Sequence, residues 1–148
     1  QGISFFAEVE GEPEAWLNGN ELRQILHNLI GNSVKAIGKG QEGVIRLTAR
    51  TAGSSQGSGE KRPGRLAEIT LTDNGCGMTP EELERAMEPF YTKSVNGIGL
   101  GLAIVKKLVE QNRGILELES APGAGTRVRL CFETQSPGET GKPGGPGA

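Results

Sequence analysis

The chain has 148 residues, 34% of them hydrophobic, with one Trp, one Tyr and a formal charge of −2. Such a length can bury about two-thirds of its unfolded surface around one core, which predicts a single domain. A slightly acidic chain so poor in aromatic rings lacks the basic face and stacking platforms of a nucleic-acid binder, and it has no apolar run of the roughly 18 residues a membrane span needs.

In chain order, residues 3–9 alternate with a period of two and predict a strand, closed by the turn residues Gly11, Glu12 and Pro13. A short returning strand is expected at Ala15, Trp16 and Leu17. Asn18 and Asn20 offer caps for the clearest helix of the chain, over residues 21–37, which stops before Gly38 and Gly40. Its residues Leu22, Ile25, Leu26, Leu29, Ile30 and Ile37 form one apolar stripe, suited to packing on a sheet.

A strand is expected over residues 44–50, then a flexible Gly/Ser-rich hairpin loop over 52–64, then a strand over 66–72 that ends at Asp73. Thr79 and Pro80 mark the start of a short helix that must stop before Pro89. A third helix runs over about 99–112, mostly apolar around its circumference except at Lys106, Lys107 and Glu110. Strands over 115–120 and 126–132 flank the hairpin Pro122-Gly123-Ala124-Gly125. Residues 135–148 are rich in Gly and Pro and are expected to be a disordered tail to a domain spanning 1–134. The order β-β-α-β-β-α-α-β-β predicts an α/β two-layer sandwich, a mixed sheet with helices on one face.

Three groups of residues could carry chemistry. On a wheel of about 100° per residue, Asn28, Asn32 and Lys35 fall together beside the apolar stripe. A side-chain amide oxygen is a hard neutral ligand suited to Mg²⁺, which binds few protein groups and keeps several waters. Asn32 could hold the ion, Asn28 could orient one of its waters, and Lys35 could reach a phosphate; equally, mid-helix asparagines can simply face solvent. Asp73, at a strand end, could accept a hydrogen bond from an exocyclic amine such as adenine N6, with Gly75, Gly77 and Met78 framing the ring. Asp-Asn-Gly is also ordinary turn vocabulary, with the carboxylate bonded to the following amides. Gly97, Gly99 and Gly101, with Leu100 and Leu102, lead straight into a helix, whose free amides and positive dipole end favour phosphate. The spacing fits neither a dinucleotide fingerprint nor a P-loop.

Taken together, these stretches resemble the catalytic ATP-binding domain of two-component sensor histidine kinases, in the GHKL superfamily with the Bergerat fold. Residues 22–36 resemble the N box, 73–78 the first glycine box, 88–93 the F box and 97–102 the second glycine box, in family order and over nearly all of residues 3–132. Tyr91-Thr92-Lys93 before a short lid is similar to the nitrogen-regulation branch. The resemblance implies ATP and Mg²⁺ as cofactors, with Asn32 as the metal ligand, Asn28 supporting it and Asp73 reading adenine. It further implies Lys93 near the phosphates, Phe90 anchoring an ATP lid over 90–97, and the Thr126 hydroxyl near Asp73. Ser33 stands where the family usually has Ala, and Lys35 where this branch often has an acid.

The implied reaction is transfer of the ATP γ-phosphoryl to a histidine on a separate dimerisation and phosphoacceptor hairpin, from which a response regulator is served. His27, the one histidine, lies within the N-box helix and away from the Asn flank, so it is expected to be a surface residue. The acceptor hairpin, sensor domains and any membrane segment are then expected outside this chain, which opens at Gln1 without a Met. Cys76 and Cys131 lack metal-ligand spacing and fit a reduced, cytoplasmic setting. Two other functions fit the same boxes: a GHKL kinase with another acceptor such as serine, and a nucleotide-gated ATPase module.

Overall fold

Five alternating segments and three helical ones become eight elements in the computed structural model, which describes residues 2–15, 17–52, 66–91 and 101–134. They are β1 (Ile3–Glu10), α1 (Gly19–Ala36), β2 (Gly43–Ala52), β3 (Leu66–Asp73), α2 (Pro80–Arg85), α3 (Gly101–Gln111), β4 (Ile115–Ser120) and β5 (Thr126–Glu133). The strands form one mixed sheet in the order β1-β2-β3-β5-β4, parallel between β1 and β2 and antiparallel elsewhere. The expected hairpin loop over 52–64 lies outside the described residues from Gly53 onward, and so does the tail from Gln135.

Period-two alternation gives the sheet two unlike faces. Ile45, Ile69, Leu71, Val128, Leu130 and Phe132 point to one side, where Ile25 and Leu29 of α1 and Val105 and Val109 of α3 close over them. Each of these side chains contributes on the order of 1.5–3 kcal/mol by leaving water. The other face carries charge. There the Glu68 carboxylate, 4% exposed, lies between Arg129 at 2.8 Å and Arg50 at 3.1 Å, and Arg129 reaches on to Glu117 at 2.9 Å. Burial pushes the Glu68 carboxyl up, but the hydrogen bonds and charges of Arg129, then Arg50, outweigh it and hold the group below the ordinary carboxylate value.

The helix ends follow local chemistry. The Asn18 side chain caps α1 by accepting from Asn20 N at 2.8 Å. Thr79 and Glu82 form a reciprocal capping box at α2. At the end of α3, Arg113 takes a left-handed φ of 56°, while Gly114 N donates to Val109 O and Arg113 N to Glu110 O, the two bonds of a Schellman motif. A further bond of 2.6 Å from Asn112 to Glu21 ties that end of α3 to the start of α1.

One expected element is absent. Ala15 and Leu17 form no strand; they pack against the core as half-buried side chains, and Trp16 lies outside the described residues. A run this short after Pro13, which lacks an N–H, gains more from core packing than from a two-residue ladder. Strand β1 pairs instead with β2, so the opening unit is β-α-β rather than β-β-α. No helix among the described residues is long and apolar enough to cross a membrane.

Candidate nucleotide site

Three elements converge at the end of β3. The alternation that buries Ile69 and Leu71 carries Asp73 to the strand end with its side chain on the helix side of the sheet, beneath α1. Its Oδ1 accepts from Gly75 N at 2.9 Å, which is the turn bond that Asp-Asn-Gly vocabulary favours. Its Oδ2 accepts from the buried Ser33 hydroxyl of α1 at 2.8 Å. Turn aspartate and binding aspartate are thus compatible descriptions: one donor is engaged at each oxygen, and each oxygen keeps acceptor capacity.

The loop after Asp73 is pinned from both sides. Cys76 N donates to Ala36 O at 2.9 Å, at the end of α1, and Gly123 N donates to Cys76 O at 2.7 Å. Met78 N donates to Ser120 Oγ at 2.9 Å. Asn74 faces the other way: its Oδ1 accepts from Val44 N and its Nδ2 donates to Glu42 O, which fixes the start of β2. Gly77 has a φ of 71°, and a Cβ there would fall on the Ala121 carbonyl. Gly125, with a φ of 78°, is pressed in the same manner against the Asp73 carbonyl. These two glycines therefore lock the loop to the β4–β5 hairpin, a packing role that sequence reading missed when it gave Gly77 to the ligand alone. Gly75 is likewise buried against Ala36.

Across the cleft, α1 presents Asn28 and Asn32 one turn apart. The amide nitrogens of both are buried and have no hydrogen-bond partner among the described residues. Unsatisfied buried amides are uncommon and call for a partner. Gly101, the first described residue of the second glycine box, faces Asn32: a Cβ on Gly101 would stand 3.5 Å from Asn32 Oδ1. Leu102 packs half-buried against the core and orients the start of α3. Two boxes separated by almost 70 residues of sequence thus meet side by side.

The remaining candidates are placed less centrally. Lys35 is exposed in the last turn of α1, where it complements the helix dipole, and His27 is exposed. Thr126 lies across the ladder from Asp73, but its hydroxyl sits 2.9 Å from Ser120 Oγ rather than on the carboxylate. Phe90 is 73% exposed on a left-handed backbone with φ 69°, so the ring points outward after Pro89. Its neighbour Tyr91 makes the packing contact, with the Arg85 guanidinium 4.5 Å over its ring. Lys93, Gly97, Gly99, Leu100 and the rest of the expected lid over 92–97 lie outside the described residues. Cys76 is exposed; Cys131 is buried, and burial pushes its thiol pKa up.

Residues 18–136 match the family described as histidine kinase-, DNA gyrase B- and HSP90-like ATPase. The chain belongs to that family. Among its relatives, the sensor histidine kinase ZraS of Klebsiella oxytoca is 41% identical over 106 residues, covering 72% of this chain and 20% of that protein. Sporulation kinase B of Bacillus subtilis is 32% identical over 136 residues, covering 90% of this chain and 29% of that protein. The chain therefore spans less than a third of either relative. Among solved structures, the mycobacterial sensor histidine kinase MprB superposes with a TM-score of 0.65 at 27% identity, covering 90% of this chain and 83% of that one. The full-length kinase ShkA in complex with AMPPNP gives 0.68 at 29% identity, covering 91% of this chain and 27% of that one. The mixed sheet with its helical layer is the fold of the kinase members, and the family is one of ATPases.

Proposed function

We propose that this chain is the Mg-ATP-binding catalytic domain of a sensor histidine kinase, and that it transfers the ATP γ-phosphoryl to a histidine on a dimerisation and phosphoacceptor hairpin. The observation that carries this reading is the close approach of Gly101, at the start of α3, to Asn32 of α1, together with a carboxylate fixed at the end of β3. Asp73 accepts the exocyclic amine of adenine. The side-chain amide oxygens of Asn28 and Asn32 are hard neutral ligands of the kind a hydrated cation takes, and their buried amide nitrogens, without a partner among the described residues, are donors suited to a water or phosphate oxygen. When bound there, Mg²⁺ neutralises developing charge on the phosphates. Gly101 brings the start of α3 beside Asn32, and Lys35 and Lys93 contribute positive charge toward the triphosphate.

Phosphoryl transfer asks mainly for positioning and charge stabilisation, which this arrangement supplies without a strong base. The acceptor imidazole is itself the nucleophile. Asn28 stands where hydrolysing members of the superfamily carry an acid that activates water, which favours transfer over hydrolysis. The hairpin and the response regulator are the partners that complete the reaction.

Titration calorimetry with ATP and Mg²⁺ tests the site. The parent chain should bind, and Asp73→Asn and Asn32→Asp should remain folded by circular dichroism yet lose binding. Normal binding by both variants sinks the assignment. In the longer kinase, acid-labile phosphate on the hairpin identifies a histidine acceptor, whereas acid-stable phosphate identifies serine.

A further inference from the structure

A serine in the interior of a helix normally returns its hydroxyl proton to the carbonyl one turn back. Ser33 does not. It is 4% exposed, and its hydroxyl crosses 40 positions of sequence to Asp73 Oδ2 at 2.8 Å. Alanine would form this stretch of α1 more favourably and would bury no polar atom, so the hydroxyl needs a task to offset its cost.

The Thr126 hydroxyl stands directly across the ladder, yet its proton is committed elsewhere. Ser120 Oγ has one proton and gives it to Gly125 O at 2.8 Å, while accepting from Met78 N at 2.9 Å. The 2.9 Å contact between Ser120 and Thr126 therefore has Thr126 as its donor. Among the described residues Asp73 is left with two donors: Gly75 N on Oδ1 and Ser33 on Oδ2. One comes from its own loop and one from α1, so together they fix the plane of the carboxylate.

We propose that Ser33 is the positioning residue for base recognition: it fixes the orientation of the Asp73 carboxylate so that its free acceptor sites aim at the purine, and so sets the preference for a 6-amino over a 6-oxo purine. The inference rests on the reading of Asp73 as the residue that meets the base. A carboxylate held by two donors meets an amino group with a hydrogen bond and a 6-oxo group with two facing acceptors. Without the Ser33 proton, the carboxylate can rotate toward water and is no longer held with an acceptor facing the amino group.

Calorimetric titration of the whole chain with ATP and with inosine triphosphate, both in Mg²⁺, separates the possibilities. Ser33→Ala should weaken ATP about tenfold and inosine triphosphate by less than about threefold, as expected for a lost hydrogen bond to a charged group. Ser33→Thr, which keeps the hydroxyl, should recover most of the ratio between the two. Thr126→Val should cost less of that ratio than Ser33→Ala does. An unchanged ratio in Ser33→Ala, or a larger loss in Thr126→Val, overturns the role of Ser33 while leaving the nucleotide site standing. A parent chain that binds neither nucleotide, or an Asp73→Asn variant that binds ATP as the parent does, overturns the reading of Asp73 and this inference with it.

Discussion

Asn32 and Gly101 face each other so closely that a methyl group on Gly101 would stand 3.5 Å from the Asn32 amide oxygen. That distance is ordinary van der Waals contact, so Gly101→Ala does not strain the fold. Alanine also loses less conformational freedom than glycine on entering a helix. The variant should be as stable as the parent or up to about 1 kcal/mol more stable, by thermal denaturation. The same methyl covers the Gly101 backbone that the proposed site leaves bare for a phosphate, and nucleotide affinity should fall at least about tenfold, or about 1.4 kcal/mol. A stable variant with parental affinity would remove Gly101 from the site.

Gly77 should behave in the opposite manner. Its φ of 71° and the Ala121 carbonyl leave no room for a side chain. Gly77→Ala therefore combines left-handed strain with a backbone clash and should destabilise the domain by about 2–3 kcal/mol, read from urea denaturation. Nucleotide binding should fall with it, because the loop that carries Gly75 and Met78 is displaced. Loss of binding at unchanged stability would instead mark Gly77 as a ligand contact only.

Glu68 predicts a pH dependence. Its folded-state pKa lies below the ordinary 4.5, so its ion pairs contribute stability that is fully present above that value and is lost as pH falls through the lower, folded value. Glu68→Gln removes the carboxylate charge shared by Arg129 and Arg50 and should cost about 1–2 kcal/mol at pH 7, less than a fully buried pair because Arg129 keeps Glu117 at 2.9 Å and Arg50 is half exposed. Denaturation followed from pH 7 to pH 3 should show the parent losing its advantage over the variant below about pH 4.5. A constant difference across that range would contradict the ionised pair.

The N box, the first glycine box and the helix caps were legible because each depends on near neighbours. Asn18 and Thr79 reach backbone amides two or three residues away, and Leu22, Ile25 and Leu29 share a helical face by periodicity alone. The strand expected at Ala15 to Leu17 failed for the complementary reason. Whether two apolar residues pair or pack depends on which strand is already beside β1, and that partner, β2, enters only after an entire helix. Phe90 could be assigned to a motif but not to a contact, because its left-handed backbone sends the ring outward.

By itself the sequence determined the mixed α/β class and every element but the strand expected at Ala15 to Leu17, from spacing that survives without coordinates, and the resemblance of its four boxes pointed to the family. Only the tertiary structure decided that Ser33 rather than Thr126 grips Asp73, that Glu68 is buried between two arginines, and that Gly77 and Gly125 interlock with distant carbonyls. A hydroxyl with one proton can serve only one acceptor. Which acceptor it meets is fixed by how α1, β3 and the β4–β5 hairpin come to rest on one core, a relation between segments that no local pattern encodes.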